Sequence, residues 1–329
     1  MPTDTTPAVL VTRITPGAMD VPGARVVIGP EQGFDSPEAL RAFVAEHKPA
    51  ALVTMYYDRV DAALLDAAGA QLRGVVNFAV GHENIDRAEC AKRGVAVCTT
   101  PDAVTEGTAD LAFMLMLAAA RRLPAADRYA RSDEYPARGR LGMHEFLGVH
   151  LTGQTLLIVG AGRIGYGVAA RALGWGMRIL YVARSRHLEF EFAPLGGRRV
   201  GLDEGLREAD FVSVHTPLTP ETRHLINAER LRLMKPTAVL VNTARGPVVD
   251  EAALAEAVAS GRLFGAGLDV YEFEPRPIEA ARGNLNIVMT PHIGSASRVH
   301  RELMTAMVSA NCRAILAGAV PPSLLAPSR

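Results

Sequence analysis

Residues 156–182 constrain the fold more than any other stretch of this chain. An apolar run (Leu156, Leu157, Ile158, Val159) leads into Gly160-Ala161-Gly162-Arg163-Ile164-Gly165, an alanine-rich segment to Leu173, and a second apolar run from Met177 to Val182. The order reads as strand, glycine turn, helix and strand, the context in which G-x-G-x-x-G carries meaning. Gly160 permits the tight turn, Gly162 a close approach of the backbone to a pyrophosphate, and Gly165 close packing of helix on strand. The unpaired N–H groups and positive dipole end of the helix start suit a diphosphate. The stretch therefore predicts a nucleotide cofactor, held by Gly160, Gly162, Arg163, Ile164 and Gly165.

A chain of 329 residues is long for one core, so two domains are expected. Lys plus Arg equals Asp plus Glu at 35 each, which leaves no global field to recruit nucleic acid or an acidic membrane. Cys90, Cys98 and Cys312 lack C-x-x-C or zinc spacing and read as reduced structural thiols, with no metal site expected. Met1 to Pro7 is polar, without the basic-then-apolar pattern of a signal peptide. The longest apolar run, Leu111 to Ala120, is too short to span a membrane. A soluble, cytoplasmic protein is the expectation.

Strand-like runs at Ala8–Thr12, Arg25–Ile28, Ala51–Thr54, Arg73–Phe78 and Val95–Cys98 alternate with helical ones at Val60–Ala68 and Ala88–Lys92. Ser36-Pro37-Glu38 starts a further helix: a capping serine, then proline where its missing N–H is harmless. Such alternation predicts a parallel sheet. Thr108 to Leu123 is an apolar connecting helix, and Arg128 to His150 reads as polar and irregular, a dimer arm in preference to a lid. Beyond the glycine turn, Asp210–His215, Ala238–Asn242, Gly265–Val270 and Asn286–Met289 are further strands, giving four to six in this half before a last helix over Ser297–Leu316. Ala79-Val80-Gly81-His82 follows a strand end, where turn N–H groups suit a carboxylate. A plain strand-to-helix turn explains that segment equally well.

Arg245, Glu274 and His292 each stand just beyond a strand of the second half, on the rim where ligands of parallel sheets gather. Singly, each has an ordinary alternative: a turn cap, a solvated charge, a satisfied histidine. Together they supply what hydride chemistry on a secondary alcohol requires. Histidine exchanges the hydroxyl proton near neutral pH, a carboxylate fixes its tautomer and favours its charged form, and arginine grips a carboxylate with a planar fork.

With these residues in place, four ordered blocks resemble the D-isomer-specific 2-hydroxyacid dehydrogenases. They are the glycine turn, Asn242-Thr243-Ala244-Arg245-Gly246, Gly267-Leu268-Asp269-Val270 through Glu274-Pro275, and Pro291-His292-Ile293-Gly294-Ser295. Phe78 to Asp86 and Thr108-Ala109-Asp110-Leu111-Ala112-Phe113 are similar to those of glyoxylate/hydroxypyruvate reductases in particular. The resemblance implies an α/β chain of two similar doubly wound parallel-sheet domains with the active site in the cleft between them. One is a flavodoxin-like substrate domain (1–100 with 288–329), the other a Rossmann-type dinucleotide domain (101–287). It implies His292 as acid/base, Glu274 as its partner and Arg245 as substrate clamp. Backbone at Val80 and Gly81 would bind the substrate carboxylate, and Asp269 would face the nicotinamide carboxamide. Thr108, His215, Thr216, Pro217, Thr222, Thr243, Ala244 and Gly294 would border the cofactor, and the protein would be a homodimer.

The NAD-preferring pattern places an acidic residue about 20 residues past the glycine turn. Here the second strand ends in Ala183-Arg184-Ser185-Arg186, two guanidinium groups and a hydroxyl suited to a 2′-phosphate. NADP(H) is the expected cofactor, with NAD(H) the alternative. Met55, Tyr56 and Tyr57 are expected to line the pocket for a small 2-oxo acid such as glyoxylate or hydroxypyruvate, while a bulkier acid stays open. Val80 stands where phosphite-oxidising relatives carry lysine, and the Glu274/His292 pair argues against formate oxidation. A dinucleotide-sensing transcriptional co-regulator on the same fold is the competing reading.

Overall fold

The computed structural model describes residues 6–326. The chain forms two compact units, one built from residues up to Val104 and from Ser295 onward, the other from Thr105–Gly294. These divisions fall later than the sequence boundaries of 100/101 and 287/288. The reason is local: residues 287–289 form a strand hydrogen-bonded into the second unit's sheet.

In the first unit, β1 (Ala8–Val11), β2 (Arg25–Ile28), β3 (Ala51–Thr54), β4 (Gly74–Asn77) and β5 (Ala96–Cys98) pair in parallel in the order β2-β1-β3-β4-β5. Alternate residues serve opposite faces, as the strand period requires. Leu10, Leu52 and Val75 pack with Val44 and Leu64 of the helices Pro37–His47 and Ala62–Ala68. Val9, Val11, Val53 and Val76 pack with Val308, Cys312 and Ile315 of the helix Arg298–Leu316. With both faces covered, these strands read as unbroken apolar runs rather than alternating ones. Capping is as the sequence foretells: Ser36 Oγ accepts from Ala39 N at 3.1 Å. Asp61 Oδ1 likewise accepts from Leu64 N at 3.1 Å. Cys90, Cys98 and Cys312 are buried free thiols.

In the second unit, β6 (Thr155–Val159), β7 (Arg178–Val182), β8 (Arg198–Arg199), β9 (Phe211–Val214), β10 (Val239–Asn242), β11 (Gly265–Leu268) and β12 (Ile287–Met289) form one parallel sheet, ordered β12-β11-β10-β9-β6-β7-β8. Seven strands exceed the four to six expected, because β8 is two exposed arginines with no apolar signal. The order reverses between β6 and β9, the switch point at which doubly wound sheets open a crevice. Leu156 and Ile158 face one core layer, Leu157 and Val159 the other.

The connecting helix runs over Thr105–Ala120 rather than Thr108–Leu123. It stops because Arg122 is left-handed (φ 52°), after which Leu123–Ala130 starts a new helix. A short helix, Glu134–Arg138, follows, so the stretch expected to be irregular is partly helical. Among the described residues no helix is long and apolar enough to cross a membrane.

Leu157 is fully buried in mid-sheet. Leu157→Ala is expected to destabilise the fold by about 2–5 kcal/mol, the usual range for a truncated core leucine. Urea unfolding checks this; an unchanged midpoint would contradict the packing described.

Candidate active site

The glycine turn closes the carboxyl end of β6. Gly160 has φ +106°, and a Cβ on it would lie 2.7 Å from the His215 carbonyl carbon at the end of β9, so only glycine fits. A Cβ on Gly165 would meet the Gly160 carbonyl oxygen at 2.4 Å, which sets the tight seat of the helix Arg163–Leu173 on its strand. Gly162 differs: a side chain there would meet nothing within 4 Å. It caps the helix without a side-chain hydrogen bond. Nearby, the buried hydroxyls of Thr216 and Thr243 have no hydrogen-bond partner. An open cradle, an uncapped helix start and two orphaned hydroxyls fit a diphosphate-bearing dinucleotide.

His215 follows β9 directly. Its Nε2 lies 2.8 Å from Ser213 Oγ, and desolvation pushes the imidazole down to about 3, so the ring is neutral at working pH. Thr222 Oγ1 donates to Pro217 O at 2.7 Å and accepts from Thr219 N at 2.7 Å, which folds the 217–222 loop onto itself.

Three further strand ends carry the polar residues. At the end of β10, the buried Asn242 side chain accepts from Ala244 N and donates to Arg245 O, both at 3.0 Å, fixing the turn that presents Arg245. Beyond β11, Glu274 Oε1 accepts from Tyr271 N at 3.1 Å, and its Oε2 lies 2.9 Å from His292 Nδ1. A carboxylate only accepts, so Nδ1 carries a proton and exchange with a ligand falls to Nε2. Burial would raise the Glu274 carboxyl, but the His292 hydrogen bond and charge, the Tyr271 N–H and the Arg245 charge outweigh it. They hold the group below its usual 4.5. The electrostatics thus link all three candidate residues.

The loop after β12 bends sharply at His292, which is left-handed at φ +53°. Asp269, 1% exposed, holds that bend. Its Oδ1 accepts from Thr290 Oγ1 at 2.7 Å and Ile293 N at 2.8 Å, its Oδ2 from Gly294 N at 2.9 Å, and its carbonyl from His292 N at 2.9 Å. Burial raises the Asp269 carboxyl despite these donors and the charge of His292. Sequence reading missed this anchoring role; the signal was an acidic residue directly after a buried apolar strand. Gly294 is tight as well, since a Cβ on it would lie 3.1 Å from Thr108 Oγ1 and 3.4 Å from Asp269 Oδ2.

At the tip of β7, Arg184, Ser185 and Arg186 are exposed. Arg186 is already engaged: its Nε lies 3.0 Å from Glu191 Oε2, while Tyr181 OH donates to Glu191 Oε1 at 2.6 Å. These bonds, Arg186 foremost, hold Glu191 down at about 2. Within the first unit, Met55 is 7% exposed and packs in the core with Val53 and Val76, while Tyr56 and Tyr57 are the exposed side chains at that strand end. Pocket lining by the Met55 side chain therefore finds no support. The turn holding Val80 and Gly81 is fixed by buried Asn77, whose Nδ2 donates to Gly81 O at 2.8 Å and to Asn84 Oδ1 at 3.0 Å. Among the described residues no group of three or more His, Cys, Asp or Glu is placed to hold a metal ion.

A doubly wound sheet whose glycine turn and strand-end polar groups suit a dinucleotide defines the second unit as the cofactor-binding part of a dehydrogenase. Residues 113–294 match the family described as "D-isomer specific 2-hydroxyacid dehydrogenase, NAD binding domain", and this chain belongs to that family. It is 51% identical to the glyoxylate reductase of Thermococcus onnurineus and 50% to that of Pyrococcus horikoshii, in each case over 84% of this chain and 82% of the relative. Among solved structures it is similar to the TT0316 protein of Thermus thermophilus, with TM-score 0.88 and 42% identity over 97% of this chain and all of that one. It is also similar to the NADPH-dependent glyoxylate/hydroxypyruvate reductase of Sinorhizobium meliloti in complex with NADP and malonate. There the TM-score is 0.82 and the identity 30%, over 99% of both chains.

The depressed Glu274 carboxyl makes a stability prediction. A group whose folded value lies below its unfolded one stabilises the fold above the unfolded value and loses that contribution as pH falls through the folded one. Glu274→Gln is therefore expected to be less stable than wild type at pH 7, the gap narrowing below about pH 4.5. Urea titrations at several pH values check this; a gap that widens in acid would contradict the charge network.

Proposed function

We propose that this chain reduces small 2-oxo acids, glyoxylate and hydroxypyruvate, to D-2-hydroxy acids, with NADPH preferred over NADH. The observation that carries the reading is the His292–Glu274 pair at 2.9 Å, beyond the strand ends of a sheet whose glycine turn suits a dinucleotide. The glyoxylate reductases that share about half their residues with this chain support the substrate class.

When bound, the dihydronicotinamide supplies hydride to C2 of the 2-oxo acid. His292 Nε2 gives the proton to the carbonyl oxygen as that atom gains charge, or withdraws it in the oxidative direction. Glu274 keeps Nδ1 protonated and steadies the imidazolium before transfer. Arg245 binds the substrate carboxylate and polarises the adjacent carbonyl. Within the first unit, the turn at Val80 and Gly81 offers backbone N–H groups suited to a carboxylate. Thr108, Asp269 and Gly294 border the nicotinamide end, Gly160 to Gly165 the diphosphate, and His215 to Pro217, Thr222, Thr243 and Ala244 the remaining wall. Arg184 and Ser185, with Arg186 through its Glu191-bound guanidinium, form the 2′-phosphate end.

A homodimer is part of the proposal. Met143, Leu147 and Tyr135, exposed at 86%, 57% and 44%, lie in the segment before the glycine turn that the resemblance assigns to subunit contact.

His292→Ala is expected to lower kcat for glyoxylate by roughly 10²–10⁴-fold, the value of a positioned acid/base. Unchanged turnover would remove it from the mechanism, and absence of any turnover by wild type would favour a dinucleotide sensor instead. In a second test, kcat/KM is compared for NADPH and NADH in wild type and in Arg184→Ala/Arg186→Ala. The expected result is an NADPH preference that the double variant loses; comparable wild-type efficiencies would overturn the cofactor preference.

A further inference from the structure

We propose that Arg199 is the positioning residue that sets this chain's preference for a 2′-phosphorylated dinucleotide, by bridging the carbonyls of Ala183 and Arg184. The proposal rests on the NADP(H) reading above.

The tip of the second strand of a dinucleotide βαβ unit is where the cofactor's 2′ position lies. Here that strand is β7, and its edge neighbour is β8, with Arg199 in register opposite Tyr181. From that place the Arg199 side chain reaches forward along the sheet edge. Its Nε and Nη2 donate to Ala183 O at 3.1 and 2.9 Å, and Nη2 donates also to Arg184 O at 2.9 Å. Two successive carbonyls of the tip are thereby tied to one planar guanidinium, with Nη1 outside these three bonds. A tip with three exposed residues is otherwise costly to order on ligand binding, because each loosely held residue loses backbone entropy. Fixing it beforehand removes that cost.

The charges around the tip give Arg199 a second distinction. Ala183, Arg186, Glu191, Arg198, Arg199 and Glu204 all line a cavity of about 790 Å³ beside it. Arg186 is matched by Glu191, and Arg198 by Glu204 at 2.7 Å and by Glu208 at 2.5 Å. Among the described residues, the hydrogen-bond partners of Arg199 are all carbonyl oxygens, so no carboxylate holds its guanidinium by a hydrogen bond, although its charge also acts on Glu191. Glu191, the carboxylate that Arg186 bonds, is also bound by Tyr181 OH, so it is held away from the role of a ribose-binding acid. A dianionic 2′-phosphate would therefore meet a preset backbone beside a guanidinium that no carboxylate hydrogen-bonds.

Isothermal titration calorimetry of wild type, Arg199→Met and Arg199→Lys with NADP+ and with NAD+ decides the matter. For Arg199→Met the ratio of the two dissociation constants is expected to shift toward NAD+ by about tenfold or more, the scale of one hydrogen bond to a charged group. Arg199→Lys should also shift it, because an ammonium lacks the planar fork that spans two carbonyls. A proportional weakening of both cofactors would make Arg199 merely structural and overturn the proposal. So would a lysine variant whose ratio matches wild type, since charge alone would then suffice. Wild type binding NAD+ as tightly as NADP+ would overturn the cofactor reading instead, and the change in ratio between variants would still decide the role of Arg199.

Discussion

Parallel strand direction is the constraint on which the second unit depends. Because all seven strands run one way, the glycine turn, His215, Arg245 and the loops of Glu274 and His292 follow carboxyl ends of the same sheet. No strand needs to be strained to bring them to one edge. The reversal of order between β6 and β9 then parts the flanking loops, and Gly160 marks how closely they approach, its missing Cβ being replaced by the His215 backbone. Chemistry at this edge is a consequence of topology first and of residue identity second.

Residue identity matters most in the buried polar side chains behind the exposed ones. Asp269 gathers the loop of His292, Asn242 the turn of Arg245, and Glu251 the loop of Glu274 by accepting from Glu272 N at 2.7 Å and Ile278 N at 3.0 Å. Each is buried and satisfied by backbone N–H or C=O groups, so each converts desolvation into a fixed loop rather than an unpaired charge. The partly exposed side chains at the strand ends are thereby placed by fully buried ones.

The sequence made much of this legible, for reasons that can be named. The strands β1, β3, β4, β6, β9 and β10 are wholly buried and read as apolar runs; Ser36 and Ser297 announce helix starts by their own hydrogen bonds. Three features escaped because their signals are not local. Strand β8 is two exposed arginines whose pairing with β7 is decided by the sheet edge. The helices Leu123–Ala130 and Glu134–Arg138 bury no residue, so no core-facing run marks them. Met55 follows a buried strand and stays in the core, whereas a tyrosine beside it does not, and composition alone cannot divide the two. In the site, Arg245, Glu274 and His292 were visible from their places just beyond strands, while Asp269's loop contacts and the Glu191 claim on Arg186 arise only from the folded chain.

The second unit is one uninterrupted segment, while the first is assembled from both ends of the chain. On a ribosome, Thr105–Gly294 is complete before the helix Arg298–Leu316 has been made. Until that helix arrives, Val9, Val11, Val53 and Val76 have no cover on their side of the five-stranded sheet. Translation therefore imposes an order of maturation: the nucleotide-binding half first, its N-terminal companion only once the last helix has emerged from the exit tunnel.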